Sequence, residues 1–406
     1  MTAAIGSGIF FIAREESAVL AGYKENQIIS WDFIQLSVEN YFAKKREARL
    51  EAIKKETASR RPKTPIRAVY LTSYSASLEK KMDSIIGISK TTGINAVVID
   101  IKDFSGYIAY DTKVPEAEMY NAERVRIKNV KSLLKKLHEA NIYAIARITV
   151  FQDPVLARAR PDLAVQSVSK DEPWLDNKGL AWMDPGSFEV WKYHAALAKD
   201  AAQQGFDEIN FDYVRFPSDG DLKNMEISRW EFSLPRRQLM RQFFAYMSDN
   251  LPEAILSVDL FGLTATAGDD LGIGQVIEDA FGYFDYVSPM AYPSHYADGF
   301  LGFEEPALYP YEVIKHSLTA AQKRLEVFEA GEQSKARGRK TELRPWLQDF
   351  GIGGVPYTLD MVQAEIQAVN EVLGENGGYM MWNPSNVYTV DAFKLKPVSE
   401  KLAETD

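Results

Sequence analysis

The sequence contains no cysteine. Disulfide bonds, thiolate zinc sites and cysteine nucleophiles are therefore excluded, while the cellular compartment stays open. Histidine is scarce, with only four residues. His138, His194 and His316 fall in stretches of helical period, and only His295 falls in a candidate loop. A metal-dependent hydrolase barrel draws several histidine ligands from its strand ends. That class is set aside, and neither a metal nor an organic cofactor is expected. Long apolar runs are also missing. Residues 3–13 are apolar but stop at Arg14. They are too few for a bilayer, which takes about 20 residues, and they lack the basic start of a signal peptide. Positive charge is in deficit, with a formal net charge of −10. Nucleic-acid binders usually present a basic face, so no nucleic-acid partner is expected.

What is present suits a large globular core: 406 residues, 46% of them hydrophobic and 12% aromatic. Barrels of the α/β type commonly use about 200 to 400 residues as one domain. Charge divides the chain. Residues 1–66 carry 11 Lys and Arg against 8 Asp and Glu, and all the net negative charge lies beyond them. Residues 44–63 are rich in Lys, Arg, Glu and Ala and read as an exposed helix, followed by a linker at residues 59–65. The expected organisation is an N-terminal apolar segment, basic helix and linker over 1–66, then a barrel over 67–406. The apolar start reads as the remnant of an export signal or anchor. The expectation is an extracytoplasmic or cell-envelope protein, peripheral or anchored at a membrane through its N-terminus. A docked N-terminus on a cytoplasmic protein is the alternative.

After Pro65 the pattern alternates. Strand-like segments fall at 67–74, 95–103, 144–151, 208–217, 255–261, 286–292, 344–349 and 378–383. Apolar stretches of helical period lie between them, at 130–140, 190–202, 236–250 and 359–373. Such alternation implies a parallel sheet. Eight units in roughly 330 residues imply a closed (β/α)8 barrel, with an open doubly wound sheet as the alternative. Long connections at 152–187, 217–228 and 293–310 would all lie at the C-terminal face, where barrels build their sites. The polar stretch at 330–340 reads as a flexible loop on the opposite face.

Polar groups gather at the strand ends: Asp100, Lys102 and Asp103; Arg147; Asp212 and Arg215; Asp259; Tyr292; Gln348; Trp382 and Asn383. Unpaired, each buried ion would cost several kcal/mol, so a cleft explains the set better than a core does. Asn210 and Asp212 share one face of their strand because side chains alternate. Asp212 and Asp259 stand on neighbouring strands. Their carboxyl groups could lie roughly 5 to 9 Å apart, the range used in glycoside hydrolysis. That chemistry needs one carboxyl protonated and one ionised, a split that unequal environments supply. The candidate catalytic pair is Asp212 as nucleophile or base and Asp259 as general acid, with the roles exchangeable and Asp100 a rival second carboxylate. An ion pair with Arg147 or Arg215 is the plainer reading of either aspartate. Asp100, Lys102, Asp103, Arg147, Tyr213, Arg215, Tyr292, Gln348, Trp382 and Asn383 are candidate substrate contacts. Aromatic rings near the rim suit the CH-rich faces of sugars.

Several motifs carry a resemblance: Ala96-Val-Val-Ile-Asp-Ile-Lys-Asp103, Ala144-Ile-Ala-Arg-Ile-Thr-Val-Phe151, Phe206-Asp-Glu-Ile-Asn-Phe-Asp-Tyr-Val-Arg-Phe-Pro217, Ser288-Pro-Met-Ala-Tyr-Pro293 and Arg344-Pro-Trp-Leu-Gln-Asp-Phe350. Over residues 67–387 the chain resembles a family of glycoside-hydrolase-like TIM barrels of uncharacterised function. The resemblance implies a barrel and a carbohydrate substrate, without a known reaction. The sixth and eighth segments are also similar to chitinase-type barrels. Those barrels carry a run of alternating Asp ending in Glu on the fourth strand. Here Asn210, Asp212 and Val214 stand in that place, which argues against a substrate-assisted mechanism. The leading expectation is a hydrolase of glycosidic bonds in a polysaccharide. The alternatives are a non-catalytic sugar-binding protein of the cell envelope, and an isomerase or aldolase holding a phosphate at Gly351-Ile-Gly-Gly354.

Overall fold

The computed structural model describes residues 61–229, 234–374 and 377–394, together with Ala48, Glu51 and Lys55. Eight parallel staves form the sheet: β1 (Arg67–Leu71), β2 (Ala96–Lys102), β3 (Tyr143–Thr149), β4 (Glu208–Asp212), β5 (Ile255–Phe261), β6 (Tyr286–Met290), β7 (Trp346–Gln348) and β8 (Tyr379–Trp382). Each stave pairs with its sequence neighbours. The ring closes where β7 meets β6 at Trp346 and Met290, and where β8 meets β1. The fold is thus the closed (β/α)8 barrel. The seventh stave is broken in two. Glu342–Leu343 pairs with β6, and Pro345, which has no N–H to donate, separates it from β7.

Alternation along the staves sorts the apolar residues into two cores. Ala68, Tyr70, Ala96, Val98, Ile145, Trp346 and Met380 pack together inside the ring. Val69, Leu71, Val97, Ile99, Ala144 and Ala146 face outward and join the larger core beneath the helices. Helices α1 (Glu79–Thr91), α2 (Val130–Glu139), α3 (Phe188–Gln204), α4 (Arg236–Asn250), α5 (Ile277–Ala280), α6 (Pro310–Ala330) and α7 (Leu359–Leu373) follow the first seven staves. Local chemistry sets their ends. Asn129 Oδ1 accepts from the Ser132 N–H at 2.9 Å to start α2. Gly205, at φ +111, takes the left-handed turn that stops α3.

Two long loops at the C-terminal face hold each other. Gln166 and Ser167, after β3, pair antiparallel with Glu226 and Met225, after β4. The N-terminal apolar segment and nearly all of the basic helix lie outside the described residues. The end of the expected linker does not: Arg61 pairs with Asp285 at 3.2 Å and with Glu342 at 2.8 Å. Among the described residues, no helix is long and apolar enough to cross a membrane.

The polar stretch at 330–340 corrects one expectation. It is no flexible surface loop. A short helix, Glu332–Ala336, leads into buried Arg337 and Arg339. Arg339 pairs with Asp285 at 2.5 Å and donates to the Leu251 and Ala254 carbonyls, each at 2.8 Å. Polar composition failed as a guide because these guanidinium groups satisfy the barrel's floor rather than solvent.

A second ion pair lies at that same end. Arg344 and Glu208 are buried and doubly hydrogen-bonded, with the Tyr286 ring 4.0 Å from the guanidinium carbon. Glu208→Gln leaves Arg344 buried without its counter-ion. The expected loss in urea unfolding is about 3–5 kcal/mol. The double substitution Glu208→Leu with Arg344→Met should recover most of it, because both charges then leave together. A single variant as stable as the wild type would remove the pair from this account.

Candidate active site at the C-terminal mouth

The register of β2 to β6 brings the polar residues to one level. Asp100 stands opposite Arg147, Arg147 opposite Asn210, and Thr149 opposite Asp212. On β5, Ser257 and Asp259 are two positions apart, with Val258 between them, so both face inward with Asn210. Arg147 is the hub. Its Nη1 lies 2.5 Å from Asp100 Oδ1, its Nη2 bonds Asp212 Oδ2, and its Nε lies 3.5 Å from Asp259 Oδ2. One guanidinium therefore ties three carboxyl groups from three staves. The Tyr70 hydroxyl donates to the second oxygen of Asp100. The Asn210 amide donates to Asp259 Oδ1 at 2.8 Å and to Ser257 Oγ at 3.0 Å.

The three carboxyls are not equivalent. The Asp212 side chain is 6% exposed, and its Oδ1 accepts from the Tyr213 N–H at 2.5 Å. Two donors thus converge on it, an arrangement suited to negative charge. Asp259 is fully buried, and its Oδ2 has no hydrogen-bond partner. Burial first, then the neighbouring Asp212 charge, pushes its carboxyl up to about 8 against the pull of Arg147. Burial also raises Asp100, with Arg147 opposing. Arg147 loses solvation too, but the surrounding carboxyls, Asp100 first, hold it charged well above the usual range. Burial keeps Tyr70 and Tyr292 protonated.

Immediately after Asp212 the backbone turns sharply. Tyr213 takes φ +54, a left-handed conformation that costs an aromatic residue about 1–3 kcal/mol. The turn sets the Tyr213 ring 5.9 Å from Trp182. Beyond it the Arg215 guanidinium lies 4.7 Å from both the Trp182 and Phe261 rings.

These groups border a cavity of about 490 Å³, within the usual range for small-molecule sites of about 300–1,000 Å³. Much of its wall is aromatic: Tyr70, Tyr213, Phe261, Tyr292, Trp346 and Trp382. Tyr292 and Trp382 form a tilted pair at 5.0 Å, with His295 beside them. Burial lowers His295 toward its neutral form. Among the described residues, no group of three or more acidic or histidine side chains is placed to hold a metal.

Of the residues singled out from sequence, Asp212, Asp259, Arg147, Tyr213, Arg215, Tyr292 and Trp382 line this cavity. Asp100 reaches it through Arg147 and Tyr70. Four residues are elsewhere. The register slips between Asp100 and Lys102, and such a bulge turns the next side chain away. Lys102 is consequently buried, pairing with Asp153 at 2.9 Å and donating to the Thr149 carbonyl at 2.7 Å. Asp103 accepts from the Ser105 N–H at 2.9 Å and holds that turn. Gln348 braces the loop after β6, accepting from Ser294 Oγ at 2.9 Å. Asn383 caps the turn after β8, accepting from the Ser385 N–H at 2.8 Å. Gly351 to Gly354 form an exposed turn outside the cavity wall. Tyr70, Phe261 and Trp346 were missed as site residues. Tyr70 and Trp346 occupy inward positions of short staves, a signal that strand alternation already contained.

Comparison with known proteins adds a family. Residues 68–388 match the family model described as "Putative glycosyl hydrolase domain". No curated protein matches the chain. Among solved structures it is similar to a hypothetical protein from Ruminiclostridium thermocellum, at 35% identity over 50% of this chain and 98% of that one, with a TM-score of 0.44. It is similar to alpha-L-fucosidase isoenzyme 2 from Paenibacillus thiaminolyticus, at 12% identity over 81% and 48% of the two chains, with a TM-score of 0.50. It is similar to a beta-N-acetylhexosaminidase, at 12% identity over 85% and 76%, also with a TM-score of 0.50. At that identity the last two show the shared barrel alone. The family match covers most of the chain and contains every residue of the cavity wall, so this protein belongs to the family described as "Putative glycosyl hydrolase domain".

Proposed function

We propose that the chain hydrolyses glycosidic bonds in a polysaccharide, with Asp212 and Asp259 as the working pair. One observation carries the reading. Two carboxyl groups on adjacent staves border one aromatic-lined cavity in unlike surroundings. Asp259 is raised to about 8 and so holds its proton at neutral pH, with Oδ2 free of any hydrogen bond. Asp212 receives donors at both oxygens. In this scheme Asp259 gives its proton to the departing sugar oxygen. Asp212 acts at the anomeric carbon, directly or through a water. Arg147 orients both, and Asp100 with Tyr70 holds Arg147. Tyr292 and Trp382 offer ring faces to the sugar.

A second reading has its own support. Arg147 engages all three carboxyls, and a site so neutralised also suits a sugar-binding protein on a hydrolase scaffold. Activity decides between them. Purified chain is screened on a panel of polysaccharides for new reducing ends. On a substrate it cleaves, Asp212→Asn should lower kcat by about 10²–10⁴-fold, with the thermal midpoint held within a few degrees. Retained turnover would remove Asp212 from the chemistry. Glycan binding without cleavage, alike in wild type and Asp212→Asn, supports the scaffold reading instead.

The pH profile tests Asp259 separately. An acid catalyst must carry its proton, so activity is present below the raised value and lost above it. We expect kcat/KM to fall about tenfold per pH unit above a point near pH 8 set by Asp259. A profile level to pH 10 would take Asp259 out of the acid role.

A further inference from the structure

Arg215 is a buried cation of the cavity wall. It is 7% exposed, yet among the described residues no carboxylate lies within ion-pair distance. Three aromatic rings, Trp182, Tyr213 and Phe261, surround its guanidinium at 4.7–5.4 Å. Its Nη1 donates to the Phe216 carbonyl and to Ser218 Oγ, each at 3.1 Å. Nε and Nη2 find no hydrogen-bond partner among the described residues. The other buried arginines differ. Arg147, Arg339 and Arg344 each touch a carboxylate, and Arg337, which donates from Nη1 to the Glu278 and Phe281 carbonyls, lies outside the cavity wall.

Burial opposes the charge of Arg215, while Tyr213, Asp212, Asp219 and Asp176 favour it from a distance. These acids are otherwise engaged. Asp212 belongs to Arg147 and the Tyr213 N–H. Asp176 accepts from Gln152 at 2.7 Å and from Trp182 Nε1 at 3.0 Å. Asp219 is exposed and accepts from the Asn177 N–H at 3.2 Å. A second cation, the exposed Lys178, lines the same cavity. Ring faces lower the cost of holding a guanidinium out of water, but they leave its open N–H edge unused. That edge, Nε with Nη2, matches the two oxygens of a planar carboxylate.

We propose that the glycan carries a carboxylate, as a uronic acid residue does, and that Arg215 receives it through this open edge. The inference rests on the glycoside hydrolase reading only for the sugar; the carboxylate seat itself is a binding claim. The overall charge of −10 repels acidic polymers at long range, so recognition depends on this local contact, and added salt should weaken it.

The test is calorimetric titration of the full chain with oligogalacturonate, oligoglucuronate and oligomannuronate, each beside its carboxyl-reduced neutral counterpart. At least one acidic oligomer should bind about tenfold or more tightly than its counterpart, the scale of a charge-assisted pair. In Arg215→Gln that ratio should fall toward one. If that variant does not fold, the wild-type ratio and its decline with salt carry the test. Three ratios near one overturn the proposal, as does a ratio that survives Arg215→Gln, or a sulfated oligosaccharide that outbinds every uronate. Titration reads binding, so the two readings fail separately. A uronate preference without any cleavage leaves the carboxylate seat standing and removes the hydrolase. Cleavage of neutral glycans with no uronate preference does the reverse.

Discussion

A single guanidinium makes the mouth of this barrel possible. Three carboxyl groups from β2, β4 and β5 converge where solvent is nearly absent, and like charges so placed could not all ionise. Arg147, on the stave between β2 and β4, bonds or approaches each of them. It neutralises part of the charge, and the rest is relieved by keeping Asp259 protonated. Remove Arg147 and the cluster becomes an uncompensated set of buried acids, the costliest kind of buried group. The way the three acids are held together follows from this one side chain, while burial decides which of them keeps its proton.

The same residue types do different work at the two ends of the ring. At the floor, Arg339 pairs with Asp285 and its other donors meet two carbonyls and a hydroxyl, while Arg344 meets Glu208 through two hydrogen bonds and leaves its Nε without one. At the mouth the network is left open. Asp259 Oδ2 accepts no hydrogen bond, and Arg215 donates from only one of its nitrogens. The two ends differ in how their cations are matched: each of these floor arginines meets a carboxylate, whereas Arg215 at the mouth bonds only a carbonyl and a hydroxyl.

Strand alternation explains what the sequence alone made legible. Apolar segments with period two gave all eight staves to within a few residues, and the inward phase of β4 placed Asn210 beside Asp212. Alternation also explains the failures. Lys102 follows Asp100 by two positions and so reads as sharing its face, but a bulge between them reverses the phase, and no residue type there announces one. Gln348 and Asn383 stand at the right height yet spend their amides on turns. The buried arginines at 337 and 339 were hidden by a polar neighbourhood, because composition does not say which guanidinium finds carbonyls. Tyr70 and Trp346 were overlooked because an aromatic on a short stave looks like core; Tyr70 becomes more than core only through Asp100 on the next stave.

The strained turn after β4 links these arguments. Tyr213 adopts a left-handed conformation that its side chain disfavours, and the fold sustains it by packing the ring on Trp182. The turn has two effects at once. It aims the Tyr213 N–H at Asp212, and two residues later it delivers Arg215 into a pocket of rings facing the same cavity. A relaxed β conformation at Tyr213 would carry the chain onward along the strand and separate the carboxylate from the cation. The segment Asp212-Tyr213-Val214-Arg215 therefore acts as one unit. Its left-handed turn holds a carboxylate and a guanidinium at a fixed relation along the wall of one cavity, with the Trp182 ring packed against both Tyr213 and Arg215.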